Sequence, residues 1–178
     1  MTRHIALLRA VNVTGVNRVA MNELAALFGS LGHRDVVTYI QSGNVVFSTD
    51  LAPASLRPSL RDAINAHFSL AIDLVVLDAA ELADIVERFP FKDDGIPRAG
   101  SHIGFLAEHV TKDVAARLDP NRSPPDEFVV DGRAVHFSYP GGVGRTKLTT
   151  AYVERTLGTI MTVRNWNTVE RLVQLSST

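Results

Sequence analysis

Val36-Val37-Thr38-Tyr39-Ile40-Gln41-Ser42-Gly43-Asn44-Val45-Val46-Phe47-Ser48 is the stretch on which the fold turns. Val36 to Ile40 and Asn44 to Ser48 are rich in β-branched and aromatic residues, and Gln41-Ser42-Gly43 supplies turn chemistry between them, so the stretch predicts a hairpin. On its N-terminal side Met21, Leu24, Leu27, Phe28 and Leu31 recur at spacings of three and four, and Gly32 stands where a left-handed helix cap belongs. On its C-terminal side Leu56, Leu60, Ile64 and Phe68 form the stripe of a second helix, with Ser55 as expected N-cap and Pro58 in its first turn. Beyond the two helices lie short apolar runs, His4 to Arg9 and Ile72 to Leu77, that read as buried strands. The order is β-α-β-β-α-β, the ferredoxin-like pattern.

The pattern recurs. Asp78-Ala79-Ala80-Glu81 is a capping-box signature for a connecting helix that Pro90 ends, and Phe91 to Gly100 clusters Gly, Pro and charge as an internal boundary does. Then follow a strand over His102 to Ala107, a short helix after Thr111, strands over Glu127 to Val130 and Ala134 to Tyr139, a helix near Thr149 to Leu157 and a strand over Thr159 to Val163. Asp131-Gly132 marks the second hairpin. His4-Ile5-Ala6-Leu7-Leu8 and His102-Ile103-Gly104-Phe105-Leu106 agree at three positions in five. A last helix carries Trp166, Val169, Leu172, Val173 and Leu175 on one face. The expected fold class is therefore α+β, with two tandem ferredoxin-like halves: residues 1–78, a connecting helix and loop over 79–100, and residues 101–178 with a C-terminal helix.

Composition narrows the chemistry. The 178 residues are 46% apolar and 21% charged, which suits a globular core rather than a disordered chain. The absence of cysteine excludes a disulfide scaffold, a Cys-ligated metal centre and thiol catalysis. Neither a long apolar run nor a signal-peptide pattern is present, so the expected location is cytoplasmic. The formal net charge of -1 hides segregation: residues 1–48 carry four Arg against two acids, residues 133–178 six Arg or Lys against two acids, and the middle eight against fifteen. Two basic ends brought together would suit an anionic ligand, whereas the acidic middle could serve only solubility.

Two segments, LLRAVNVTGVNRVAMNEL with TYIQSGNVVF and GRTKLTTAYVERTLGTIMTVRNWNTVERL, resemble the bacterial domain of unknown function family number 1697. The resemblance implies a cytoplasmic α+β protein of two ferredoxin-like halves and implies no activity. Against the family's pattern, Ala10 and Thr14 stand where Gly is typical and Thr146 where Ser is typical. If those glycines serve positive φ or close approach of a ligand, the first loop binds differently here.

Candidate site residues fall in three stretches. Pro140-Gly141-Gly142-Val143-Gly144-Arg145-Thr146-Lys147 leads from a strand toward a helix and offers Gly144, Arg145 and Lys147 to an anion, although its spacing fits neither a Walker loop nor a dinucleotide fingerprint. The alternative is a solvated connection. Arg164 and Asn165 open the last helix; Arg164 would buttress a carboxylate or phosphate or pair with an acid, and Asn165 or Asn167 would cap. Gln41 and Asn44 of the hairpin would face a ligand beside Arg9 and Asn12, or serve the turn alone. The six His show no metal-ligand spacing and no cofactor motif is present. No acid, base or Ser nucleophile is singled out, so no reaction is assigned. The expected function is binding of a small anionic ligand, of nucleotide or phosphate type, near residues 141–147. The alternative is a non-catalytic protein or RNA interaction module; the first strand lacks the stacking aromatics that RNA recognition on such a sheet uses.

Overall fold

The structure is a computed structural model, and it describes residues 1–177. The chain divides into two compact units, Met1–Asp84 with the chain from Arg171 onward, and Ile85–Glu170.

In the first unit β1 (Thr2–Leu8) is the central strand because both its edges are paired. It runs antiparallel to β3 (Asn44–Thr49) on one side and to β4 (Leu74–Asp78) on the other, and β2 (Arg34–Tyr39) adds to β3, giving the order β2-β3-β1-β4. β1 from His4 to Leu8 and the whole of β3 are buried, while the edge strand β2 is largely open. Helices α1 (Met21–Ser30) and α2 (Pro53–Phe68) supply Leu24, Phe28, Leu56, Leu60 and Ile64 to a core against Ala6, Leu8, Val45 and Phe47. Burying a side chain of this size contributes roughly 1.5–3 kcal/mol, so these stripes fix the helices on the sheet. Gly32, at φ 87, takes the left-handed position after α1 as expected. The start of α2 differs from expectation. It begins at Pro53, whose ring presets the first helical φ, with Ala52 rather than Ser55 as N-cap, and Pro58 lies inside the helix instead of in its first turn.

β4 leads into α3 (Ala79–Glu87), whose first turn is capped as the sequence indicates: the Asp78 carboxylate accepts from the Glu81 N–H at 2.8 Å. Residues 91–100 are a small hairpin, β5 (Lys92–Asp93) with β6 (Ile96–Pro97), turned by Asp94 and Gly95 at positive φ.

The second unit repeats the strand order. β7 (Ser101–Leu106) is flanked by β10 (Met161–Asn165) and β9 (Ala134–Ser138), and β8 (Glu127–Asp131) lies outside β9, all antiparallel. Its helices are shorter, α4 (Lys112–Ala115) and α5 (Thr150–Leu157). Asp131 pairs with Ala134, so the two turn residues are Gly132-Arg133, one later than read from sequence, because Gly132 takes the positive φ of 62. β10 also starts two residues late, since Gly158 ends α5 at φ 72 and the Ile160 carbonyl accepts from Ala107 before pairing with β7 begins. α6 (Trp166–Ser176) closes the chain, and Arg3 donates to the Leu175 carbonyl at 3.2 Å, so the N-terminal strand meets the C-terminal helix within the first unit. No helix among the described residues is long and apolar enough to cross a membrane.

Candidate functional site

The four candidates of the first unit separate by burial and bonding. Asn44 is fully buried, and its amide donates to the Tyr39 carbonyl and the Ser42 hydroxyl at 3.0 and 2.9 Å, which commits it to the hairpin turn. Asn12 is half-buried and ties three segments together: its amide donates to the carbonyls of Val19 (2.9 Å) and Gln41 (2.7 Å), and its side-chain oxygen accepts from the Val19 N–H (2.9 Å). The adjacency of Asn12 and Gln41 follows from the pairing of β1 with β3, and it leaves the Gln41 side chain exposed. Arg9 is half-buried, with its N–H on the Asp73 carbonyl at 2.8 Å.

The loop holding Asn12 is strained. Ala10, Asn12, Thr14 and Asn17 all have φ near +50, a region that Asn enters readily but that costs Ala10 and Thr14 roughly 1–2 kcal/mol each. Ala10 and Thr14, the two departures that the resemblance implies for this loop, are among them. Ala10 and Thr14 thus hold a backbone shape suited to glycine, and the loop keeps that shape through the bonds of Asn12 and the donation of Asn17 to the Ala10 carbonyl at 3.1 Å.

In the second unit, residues 140–147 do not open a helix directly. Val143–Arg145 is a single 3-10 turn, Thr146 returns to extended backbone at ψ 140, and α5 begins at Thr150 with the Thr149 hydroxyl already accepting from the Tyr152 N–H. Three loop amides are also taken: Gly142 donates to Tyr139, Lys147 to the Ser123 hydroxyl and Leu148 to the Thr146 hydroxyl. What the loop offers is side chains. Gly144, Arg145 and Lys147 are exposed, and neither cation has a partner among the described residues. Arg122, absent from the sequence reading, joins them: its Nε donates to the Lys147 carbonyl at 3.1 Å and its guanidinium lies 3.9 Å from the Tyr152 ring. The Thr146 hydroxyl accepts from the Leu148 N–H, a bond that a Ser hydroxyl could equally accept.

Arg164 behaves differently. Only 8% exposed, it donates to the Thr162 hydroxyl at 2.7 Å and the Val163 carbonyl at 2.9 Å, and burial pulls its pKa down to about 10. These two bonds turn the guanidinium back on its own strand. Asn165 caps α6, accepting from the Thr168 N–H at 2.9 Å. Trp166 is half-buried, 4.8 Å from the Phe89 ring, with the Lys92 ammonium 5.9 Å from its centroid. The most perturbed histidine is His136 on β9: 1% exposed, with both ring nitrogens unpartnered among the described residues, it has its pKa lowered to about 4 by burial, against an upward pull from Asp131. Among the described residues no group of three His, Asp or Glu could hold a metal ion.

Two antiparallel four-stranded sheets and, among the described residues, six α-helices define a mixed α/β protein. The chain belongs to the family described as protein of unknown function, DUF1697, whose model matches residues 1–136. The first quoted segment lies inside that match and Gly144 onward lies beyond it. A conserved bacterial protein from Streptococcus pneumoniae has the same fold: it superposes with a TM-score of 0.79 over 100% of this chain and 99% of its own, at 22% identity. No curated protein matches the chain.

Proposed function

We propose that this protein binds a small anionic ligand of nucleotide or phosphate type at residues 141–147 of the second unit. The observation that carries the reading is three exposed cations around one braced loop: Arg145 and Lys147 have no side-chain partner among the described residues, and Arg122 is fixed against the Lys147 carbonyl. Arg122 on the Tyr152 face keeps a planar donor set in place at low entropic cost, as a phosphate requires. Ferredoxin-like halves over residues 1–78 and 101–178, linked by 79–100, belong to this reading and are supported by the repeated strand order. A cytoplasmic location, which the family resemblance implies, belongs to it as well. The test is a thermal-shift series with phosphate, pyrophosphate and nucleotides. A ligand at 100 times its Kd raises stability by about 2.7 kcal/mol, and the Arg145→Ala/Lys147→Ala double variant should lose that gain. No shift with any of them removes the proposal.

A further inference from the structure

A concave site lies in the first unit, away from the cations of residues 141–147 in sequence and independent of that reading. It is a cleft of about 590 Å³ whose walls include Asn12, Arg18, Val19, Glu23, Gln41 and Phe68. Its shape is preset, because the Asn12 side chain ties residue 19 and the hairpin carbonyl of Gln41 together. Half-buried Phe68 and buried Val19 give it an apolar floor.

Its charges are the informative part. Arg18 is exposed and has no hydrogen bond or ion pair among the described residues. Glu23, exposed on the first turn of α1, has as its one ion-pair partner among the described residues the His67 ring nitrogen at 4.0 Å. The two opposite charges therefore border one cleft without neutralising each other. An anion placed there meets Glu23 and a cation meets Arg18, each at a Coulombic disadvantage; a molecule carrying both charges satisfies both walls. The Arg18 fork matches a carboxylate, the Glu23 carboxylate matches an ammonium, and the exposed Gln41 amide can donate to or accept from either. We infer that the cleft binds a small zwitterion of the α-amino-acid class, with its carboxylate on Arg18, its ammonium on Glu23 and an apolar side chain on Phe68.

Calorimetric titration of the full chain tests this with L-phenylalanine, L-leucine, phenethylamine, which lacks the carboxylate, and 3-phenylpropionate, which lacks the ammonium. At least one amino acid should bind, and each phenylalanine analogue should bind at least tenfold more weakly than phenylalanine. Arg18→Gln should abolish the preference over phenethylamine, and Glu23→Gln the preference over 3-phenylpropionate. Both residues are exposed, so unchanged circular dichroism and melting temperature show that the variants fold. Absence of heat with both amino acids at millimolar concentration overturns the inference. So does either analogue binding as well as phenylalanine, or an Arg18→Gln variant that keeps the full preference. Addition of phosphate should leave the amino-acid titration unchanged, which separates this site from residues 141–147.

Discussion

The central strands of the two units begin with the same device and pack around it differently. His4 on β1 meets the carbonyl of Thr2 through Nδ1 at 3.0 Å, and His102 on β7 meets that of Gly100 at 2.9 Å, each two residues back. Each strand then takes the middle of a four-stranded sheet of the same order. Thr2 is exposed, but at Gly100, with φ 81, an added Cβ would come 2.1 Å from the Tyr139 carbonyl oxygen. Two residues past the histidine, Ala6 of β1 corresponds to Gly104 of β7, where a Cβ would meet Met161 Sδ at 2.5 Å. A shared topology thus coexists with local packing that is not interchangeable.

The largest effect should come from erasing that difference. Gly100→Ala places a methyl against backbone that cannot rotate away and keeps a left-handed φ, so the two costs add to about 3 kcal/mol or more. Thr2→Ala, at the corresponding exposed site, should stay within about 0.5 kcal/mol. Urea denaturation of both variants measures the contrast, and equal losses would break the correspondence between the two strand starts.

A second contrast is chemical. Ile103 pairs with His136 as Ile5 pairs with Val46, so a histidine in the second sheet stands where the first has a buried valine. With a folded pKa of about 4 against the ordinary 6.5, His136 binds a proton in the unfolded chain before it does in the folded one. Its contribution is therefore complete above pH 6.5 and is lost as pH falls toward 4, by up to about 3 kcal/mol at 1.36 kcal/mol per unit. Arg88 and Lys92 push its pKa the same way as burial does, and Asp131 opposes them. His136→Val leaves a cavity whose cost does not depend on pH, so the readout is the slope of stability between pH 6.5 and 4, which should flatten. Trp166, the chain's single tryptophan, packs on Phe89, whose ring in turn meets His136 at 5.4 Å, so its fluorescence reports this unit. An unchanged slope would assign the acid sensitivity elsewhere; His33 in the first unit, also lowered by burial and then by His4, would be the next group to replace.

These contrasts show what the sequence could carry. Strand identity was legible because β-branched runs and turn residues alternate, and the adjacency of Asn12 and Gln41 followed from strand order alone. Element ends were less legible where two residues competed for one role, as Pro53 against Ser55 at the start of α2. Among site residues, Arg164 was read as buttressing an anion or pairing with an acid, because nothing in Thr162-Val163-Arg164 announces that the guanidinium also turns back on its own strand. Lys147 was placed at a helix start because Thr149, which caps α5, stands only two residues later. Arg18 and Glu23 carried no motif, since an arginine in an unpatterned loop and a glutamate on the polar side of a helix are ordinary surface residues until the fold puts both on one cleft.

The smallest expected effect bears on the loop that distinguishes the first unit most. After β7 the chain reaches α4 within a few residues and shows no positive φ between 107 and 111, whereas after β1 it passes through Ala10, Asn12, Thr14, Gly15 and Asn17 at positive φ. Gly at position 10 or 14 would remove the Cβ clash with the backbone that an L-residue meets at φ near 50, worth roughly 1–2 kcal/mol. It would add back up to about 1 kcal/mol of chain entropy in the unfolded state. Ala10→Gly and Thr14→Gly should each therefore stabilise by about 0.5–1 kcal/mol, Thr14 the more because its branched side chain is the worse fit. Urea midpoints that rise for both variants support strain held in place by Asn12. If both fall, the side chains of Ala10 and Thr14 contribute contacts that outweigh the strain, and the loop's shape is then a product of packing rather than of the Asn12 hydrogen bonds.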